Sequence, residues 1–456
     1  MRRATVCVLL ATINLLSCGC FSERSFPMRA DDPHVIAPSG RPADTRAWLR
    51  DVHPRLAKLL PEKHDQVLLT EDLAMADGVP LDLAQFFGRR FDQQHKLPTN
   101  FFGLMYTAQS SGADPTIENP APPWPGFADV WLPIDDRVRL SGRIGLARDG
   151  DKIRDADCIV IMPGLLGDLN VERSKQLAIA LRDSGLHVLA LELRGYGQTE
   201  AKHPDVPYHF GVLESGDLLL VAEWLQSLPH VRRTGLVGFC WGANHALLAA
   251  WEAGRDELDP AIDEHVRPYL RSRSGVRHWE AGVIAFSPCF AFERNIEQTE
   301  TEWDFTDNPV LASLQNGVRF RKNWKQRPDR DGRLRTMIEY EFTDWGTEIT
   351  RPVERGLDYL RFGTHRGRPA GHKFESMRVP VLIVHGRDDP LADAQEIADT
   401  FCSVKNRNAA AVVLPGGGHV GFAAYCRPYF YSLVLSFFDP ESGAAATTAR
   451  SPSLRG

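Results

Sequence analysis

The chain has 456 residues, enough for one large domain with additions or for two ordinary ones, and its 43% hydrophobic and 25% charged content is a normal globular balance with a full core. A formal net charge of −6, with no Lys/Arg block and no aromatic-basic interleaving, argues against nucleic acid as a partner. Eight cysteines include no Cys-x-x-Cys, and the five beyond the N-terminal region (158, 240, 289, 402 and 426) are too sparse for a zinc pattern or a disulfide framework; a Cys402–Cys426 pair stays open.

Met1-Arg2-Arg3 is a basic start, and the nearly uncharged apolar run Ala4 to Leu16 is shorter than the ~20 residues of a spanning helix, so residues 1–18 read as an export signal. Leu15-Leu16-Ser17-Cys18 resembles the lipobox of bacterial lipoproteins, which implies a membrane anchor on Cys18, with Cys20 the weaker alternative and an ordinary cleaved signal the bland one. The expected localisation is the cell envelope or periplasm. Residues 19–126 then hold a Pro/Arg/Asp/Ser-rich tether to about 45, followed by helical spacing from Thr45 to Leu97 that predicts two or three helices. Asn119-Pro120-Ala121-Pro122-Pro123-Trp124-Pro125-Gly126 opens the main domain.

Within 127–287, residues 127–133 and 138–147 predict a hairpin, and then strands and helices alternate. The apolar strands are 158–162, 187–193, 234–237 and 281–286, with helices at 174–184, 211–227 and 244–251. A second part, 378–440, adds strands at 379–384 and 412–414. Continuous apolar strands between helices predict an α/β fold with a mostly parallel sheet covered on both faces and an antiparallel edge. Ligands in such sheets bind at the strand C-termini. Residues 288–377 interrupt the alternation and are expected to form a cap or lid; 441–456 read as a disordered tail. The cap aromatics, Trp303 to Phe362, read mainly as its own core.

Gly238-Phe239-Cys240-Trp241-Gly242 joins the third of these apolar strands to a helix. Two flanking glycines let strand and helix approach, and the side chain between them is thrust out at the sheet's C-terminal edge, so Cys240 is the candidate nucleophile. Taken alone, Cys240 fits a small core residue equally well. A base and an orienting acid must follow in the order acid, then His. Val381-Leu382-Ile383-Val384-His385-Gly386-Arg387-Asp388-Asp389-Pro390 supplies Asp389, with Asp388 the second choice; Pro415-Gly416-Gly417-Gly418-His419-Val420-Gly421-Phe422 supplies His419. The oxyanion donors expected are the backbone N–H groups of Trp241 and of Leu165, in Pro163-Gly164-Leu165-Leu166-Gly167. Gly195-Tyr196-Gly197 lacks the rest of a dinucleotide loop, and neither cofactor nor metal is expected.

These segments, with Arg194-Gly195-Tyr196-Gly197, Tyr208-His209-Phe210-Gly211 and Asn244, resemble the YheT/EMB8-type branch of the α/β-hydrolase superfamily over residues 127 to 437. The resemblance implies an α/β-hydrolase fold, a triad and carboxylic-ester hydrolysis. Two positions depart from it: Pro163 stands where the branch has His, and Cys240 where it has Ser. The expected function is hydrolysis of an ester, thioester or lactone through a Cys-His-Asp triad and a thioester acyl-enzyme. The alternatives are a catalytically silent ligand-binding lipoprotein and an acyltransferase.

Overall fold

The computed structural model describes residues 44–61, 67–74, 120–165, 167–206, 210–253, 258–270, 277–300, 352–363 and 372–438, with single residues at 103, 106, 107, 208, 255, 335 and 338. The signal region with Cys18 and Cys20, the tether, most of the cap with seven of its aromatics, and the tail lie outside these.

The strands are β1 (Leu68–Leu69), β2 (Ala128–Pro133), β3 (Arg139–Gly145), β4 (Arg148–Asp149), β5 (Lys152–Ile153), β6 (Ala156–Met162), β7 (His187–Glu192), β8 (Val231–Phe239), β9 (Gly282–Phe286), β10 (Val381–Gly386) and β11 (Ala409–Leu414). The helices are α1 (Thr45–Leu56), α2 (Thr70–Ala74), α3 (Glu172–Asp183), α4 (Gly197–Lys202), α5 (Val212–Gln226), α6 (Trp241–Glu252), α7 (Phe292–Glu300), α8 (Pro352–Leu360), α9 (His372–Glu375), α10 (Ala394–Phe401) and α11 (Phe422–Phe438). Nine strands form one sheet in the order β1-β11-β10-β9-β8-β6-β7-β3-β2. Strands β6 to β11 run parallel to one another, while the β2–β3 hairpin joins β7 antiparallel.

The apolar strands are continuous because both faces are covered, and the period of two sends alternate side chains to different layers. Along β6, Cys158, Val160 and Met162 enter the layer with α5, α6 and α10, whereas Ile159 and Ile161 enter the layer with α1, α3 and α11. All seven residues of β6 are buried, and each large apolar side chain removed from water contributes about 1.5–3 kcal/mol before the entropy of ordering it is subtracted.

Strand β1 corrects the purely helical reading of the N-terminal extension. Helix α1 forms as its spacing predicts, capped by Asp44 and burying Trp48, Leu49, Val52 and Leu56. The chain then returns, and Leu68 and Leu69 pair antiparallel with Val413 and Val412 on the open edge of β11. Two residues carry no readable period; the unpaired edge decides their conformation. The Cys402–Cys426 pair does not form. Neither is in a disulfide; their thiols donate to the carbonyls of Asp399 (3.1 Å) and Leu59 (3.0 Å). Of the cap aromatics, Tyr359 and Phe362 are buried in the main core, Phe362 against Phe374 at a centroid distance of 5.3 Å. No helix among the described residues is long and apolar enough to cross a membrane.

Candidate active site

Cys240 caps α6 at φ 54° and ψ −122°, a conformation that costs a non-glycine residue of order 1–3 kcal/mol and survives where its surroundings dictate it. Those surroundings leave no alternative. A Cβ on Gly238 would collide with the Gly242 carbonyl, and one on Gly242 with the Pro163 carbonyl. Gly164 passes directly against the nucleophile: a Cβ there would lie 2.8 Å from Cys240 Cβ and 3.3 Å from Sγ. Pro163 therefore acts through its backbone. Leu165 follows in a turn closed by Gly167 N donating to Gly164 O at 2.9 Å, and Trp241 N, at the head of α6, donates to the Cys240 sulfur. Trp241 thus adjoins Cys240 in sequence, and Leu165 follows the glycine that packs against it.

Strand β10 delivers the acid. Asp389 is buried; its Oδ1 accepts from Leu391 N (2.8 Å) and Ala392 N (2.9 Å), and its two carboxylate oxygens lie 3.0 and 2.9 Å from His419 Nδ1. Burial alone would raise this carboxyl, but the charge and hydrogen bond of His419 hold it below its ordinary value. Asp388, the second choice from sequence, does not bind the ring. Its Oδ1 accepts from Gly418 N at 2.7 Å, so it supports the loop that carries His419, and burial pushes its carboxyl up to about 7, with the Asp389 charge adding to the rise.

His419 is buried, and its Nε2 has no hydrogen-bond partner of complete geometry. Its remaining charge partner is Cys240. Burial disfavours the imidazolium, yet Asp389 and then Cys240 raise the ring to about 10. The thiol moves the opposite way: burial opposes the thiolate, and the nearby His419 charge, helped by Trp241 N, brings it below its ordinary value. Cys240 as a residue is half-buried, unlike the buried Asp389 and His419. A thiolate–imidazolium pair is the form these directions favour at neutral pH.

Sequence reading missed four supporting residues. Arg173, in the first turn of α3, places its guanidinium 4.7 Å from the Phe239 ring centroid, beside Cys240, whose charge favours its protonated form although burial lowers it to about 10. Asn244 holds the chain beyond β9: its Nδ2 donates to Cys289 O (2.6 Å) and its Oδ1 accepts from Cys289 N (3.0 Å). Ser287 and Thr107 bond the backbone of the His419 loop, Ser287 Oγ accepting from Val420 N at 3.3 Å and Thr107 Oγ1 from His419 N at 2.7 Å. Asn244 carried a resemblance signal, but the others lie in no motif. Beside the nucleophile, Trp241 packs on Phe292 at 3.9 Å between centroids and near Phe210 at 6.0 Å, a buried aromatic cluster.

The sequence profile of the alpha/beta hydrolase family matches residues 159–426, more than half of the chain. No curated protein matches. Among solved structures, the chain is similar to an esterase of Pyrococcus furiosus, with 18% identity, 70% of this chain and 96% of that one covered, and a TM-score of 0.42. It is also similar to an acylaminoacyl peptidase of Pyrococcus horikoshii (13% identity, 69% and 41% covered, TM-score 0.40) and to Est1E of Butyrivibrio proteoclasticus (16% identity, 71% and 99% covered, TM-score 0.37). By the extent of the family match, over the same sheet and turn that carry Cys240, Asp389 and His419, the chain belongs to the alpha/beta hydrolase family.

Proposed function

We propose that the protein hydrolyses carboxylic esters, thioesters or lactones, with Cys240 as nucleophile, His419 as acid and base, and Asp389 orienting the ring. The observation that carries this reading is the geometry: Cys240 at φ 54° on a strained strand-to-helix turn, and a buried His419 whose Nδ1 lies 3.0 and 2.9 Å from the two carboxylate oxygens of Asp389, with the His419 charge favouring the Cys240 thiolate. A small core cysteine needs none of these features.

The thiolate of Cys240 attacks the acyl carbon, forming a C–S bond while the carbonyl electron pair moves onto oxygen, where the Leu165 and Trp241 N–H groups receive it. Collapse of this intermediate expels the alkoxide or thiolate, which takes the proton from His419 Nε2, leaving a thioester on Cys240. Neutral His419 then takes a proton from water as the hydroxide attacks the thioester. The second tetrahedral intermediate releases the acid and the Cys240 thiolate, with His419 again imidazolium. Amides fit poorly, because the thiolate leaves more readily than an amine anion.

The motifs of this chain also support placement in the YheT/EMB8-type branch, with sulfur in place of oxygen. The basic, apolar and Leu-x-Ser-Cys sequence at the N-terminus supports export and a lipid anchor on Cys18, tested by loss of palmitate incorporation in Cys18→Ser.

The test of the activity is intact-mass analysis after treatment with an activated-ester probe, and separately with iodoacetamide. One adduct on Cys240, fast below pH 8 and lost or slowed in Cys240→Ala and His419→Ala, supports the reading. Slow alkylation of Cys240 that His419→Ala leaves unchanged overturns it in favour of a silent binding protein.

A further inference from the structure

Three successive backbone N–H groups in the His419 loop are taken by side-chain oxygens from three separate segments. Gly418 N donates to Asp388 Oδ1 after β10, His419 N to Thr107 Oγ1, and Val420 N to Ser287 Oγ after β9. The loop needs such restraint. Gly417 (φ 132°) and Gly418 (φ 53°) are followed by Val420 at φ 60°, a genuine outlier for a β-branched residue. A strained segment of this kind keeps its shape only while external partners fix it.

Thr107 differs from the other two in origin. It precedes the region matched by the hydrolase profile, which starts at residue 159, and lies 312 positions before His419. The contact is intimate. A Cβ on Gly418 would lie 2.6 Å from Thr107 Oγ1 and would also strike the Gly103 carbonyl, one on Gly421 would strike the Tyr106 carbonyl, and the Tyr106 ring meets Tyr425 edge-on at 5.5 Å. The polarity of the bond is fixed as well. Thr107 Oγ1 donates its own hydrogen to Gly103 O at 2.7 Å, which turns a lone pair toward His419 N.

We propose that Thr107, supplied by the N-terminal extension, is a positioning residue for His419: by accepting the main-chain N–H of the base, it holds the imidazole in the register that pairs Cys240. The proposal rests on the function proposed above. It makes the extension part of the active machinery, so that the hydrolase domain alone carries an incompletely fixed base.

The experiment uses the full chain and two readouts, hydrolysis of a p-nitrophenyl ester and the pH profile of iodoacetamide labelling at Cys240. Thr107→Val keeps the volume and removes the acceptor; kcat should fall by about one to two orders of magnitude with KM little changed, because a buried N–H loses its partner at the base. Labelling below pH 8 should slow, and its midpoint should move to higher pH. Thr107→Ser should restore both. Thr70→Val is the control, since Thr70 Oγ1 accepts from Ala411 N (2.8 Å) and donates to Ala411 O (3.2 Å) on the same extension, away from the site. It should lower Tm and leave kcat and the labelling profile unchanged. If Thr107→Val fails to fold, Thr107→Ala removes the same acceptor with less bulk.

A Thr107→Val enzyme with unaltered kcat and labelling profile overturns the proposal while hydrolysis by the wild type stands. Equal losses in Thr70→Val and Thr107→Val also overturn it, by reducing Thr107 to general stability. Wild-type labelling that is slow and indifferent to His419→Ala removes the function reading, and this proposal with it.

Discussion

Both carboxylate oxygens of Asp389 reach His419 Nδ1, at 3.0 and 2.9 Å, while the adjacent Asp388 accepts from the backbone of the loop that carries His419. Neighbouring carboxylates therefore separate into an orienting role and a supporting one. Asp389→Asn should lower kcat by about 10²–10⁴, the range seen when a triad histidine loses its carboxylate. His419 should lose much of its elevation, and the iodoacetamide profile of Cys240 should move to higher pH. Asp388→Asn keeps an oxygen for Gly418 N and should stay within about threefold of wild type, since the loop's hydrogen bond survives the substitution. Steady-state kinetics of the two variants, side by side, checks the assignment; a larger loss in Asp388→Asn would reverse it.

Asp388 should show itself in stability. Its folded carboxyl, raised to about 7 from an ordinary 3.8, binds its proton more tightly than in the unfolded chain. The associated stability is fully present below pH 3.8 and is lost as pH rises through 7. The loss is on the order of 1–4 kcal/mol for a buried group with this displacement. Asp388→Asn does not titrate, so its Tm relative to wild type should climb between pH 5 and pH 8. Differential scanning calorimetry at those two pH values reads the sign directly, and a constant difference would mean that Asp388 is not protonated in the fold.

The glycine at 164 separates crowding from backbone freedom. Gly164→Ala places its methyl 2.8 Å from Cys240 Cβ and 3.2 Å from Phe239 O, between two segments that cannot give way. The expected cost is about 1–3 kcal/mol of stability with at least a tenfold fall in kcat, because overpacking displaces the nucleophile itself. Gly150→Ala is the comparison: its φ is 59° but nothing lies within 4 Å of the added methyl. It should lose about 1 kcal/mol and no activity. Thermal melts and kcat for the two alanines check the contrast.

Much of this architecture was legible because strands β6, β7, β9 and β10 and the second half of β8 are buried on both faces and so appear as continuous apolar runs. Apolar residues mark the last parallel strand only at Val412–Leu414, since Ala409, Ala410 and Ala411 extend it with residues of weak strand preference. Helix α4, which starts at Gly197, and helices α10 and α11 were not read; α11 bends at Cys426, two residues before Pro428, which breaks its period. The site followed the same logic. Cys240, Asp389 and His419 sit in turns that need glycine or proline and end buried strands, so local sequence marks them. Thr107 carries no mark, because its role arises from a contact across 312 positions with a loop it does not resemble.

Arg173 presents the last test, since its cation lies beside the nucleophile. The guanidinium rests 4.7 Å from the ring centroid of Phe239, the residue before Cys240, and the thiolate and the cation favour each other's charged forms. Arg173→Met preserves the apolar stem over Phe239 and removes the charge. Cys240 should then be harder to ionise, and alkylation at pH 6 should be slower than in wild type, while at pH 10, where the thiol is ionised in both, the rates should converge. Arg173→Lys should restore part of the pH 6 rate, because a point charge remains although the planar stack on Phe239 is lost. A uniform slowing at both pH values in Arg173→Met would instead assign the residue to packing under the elbow. The ratio of the two rates, measured on each variant, decides between a charge that tunes the nucleophile and a side chain that merely supports its turn.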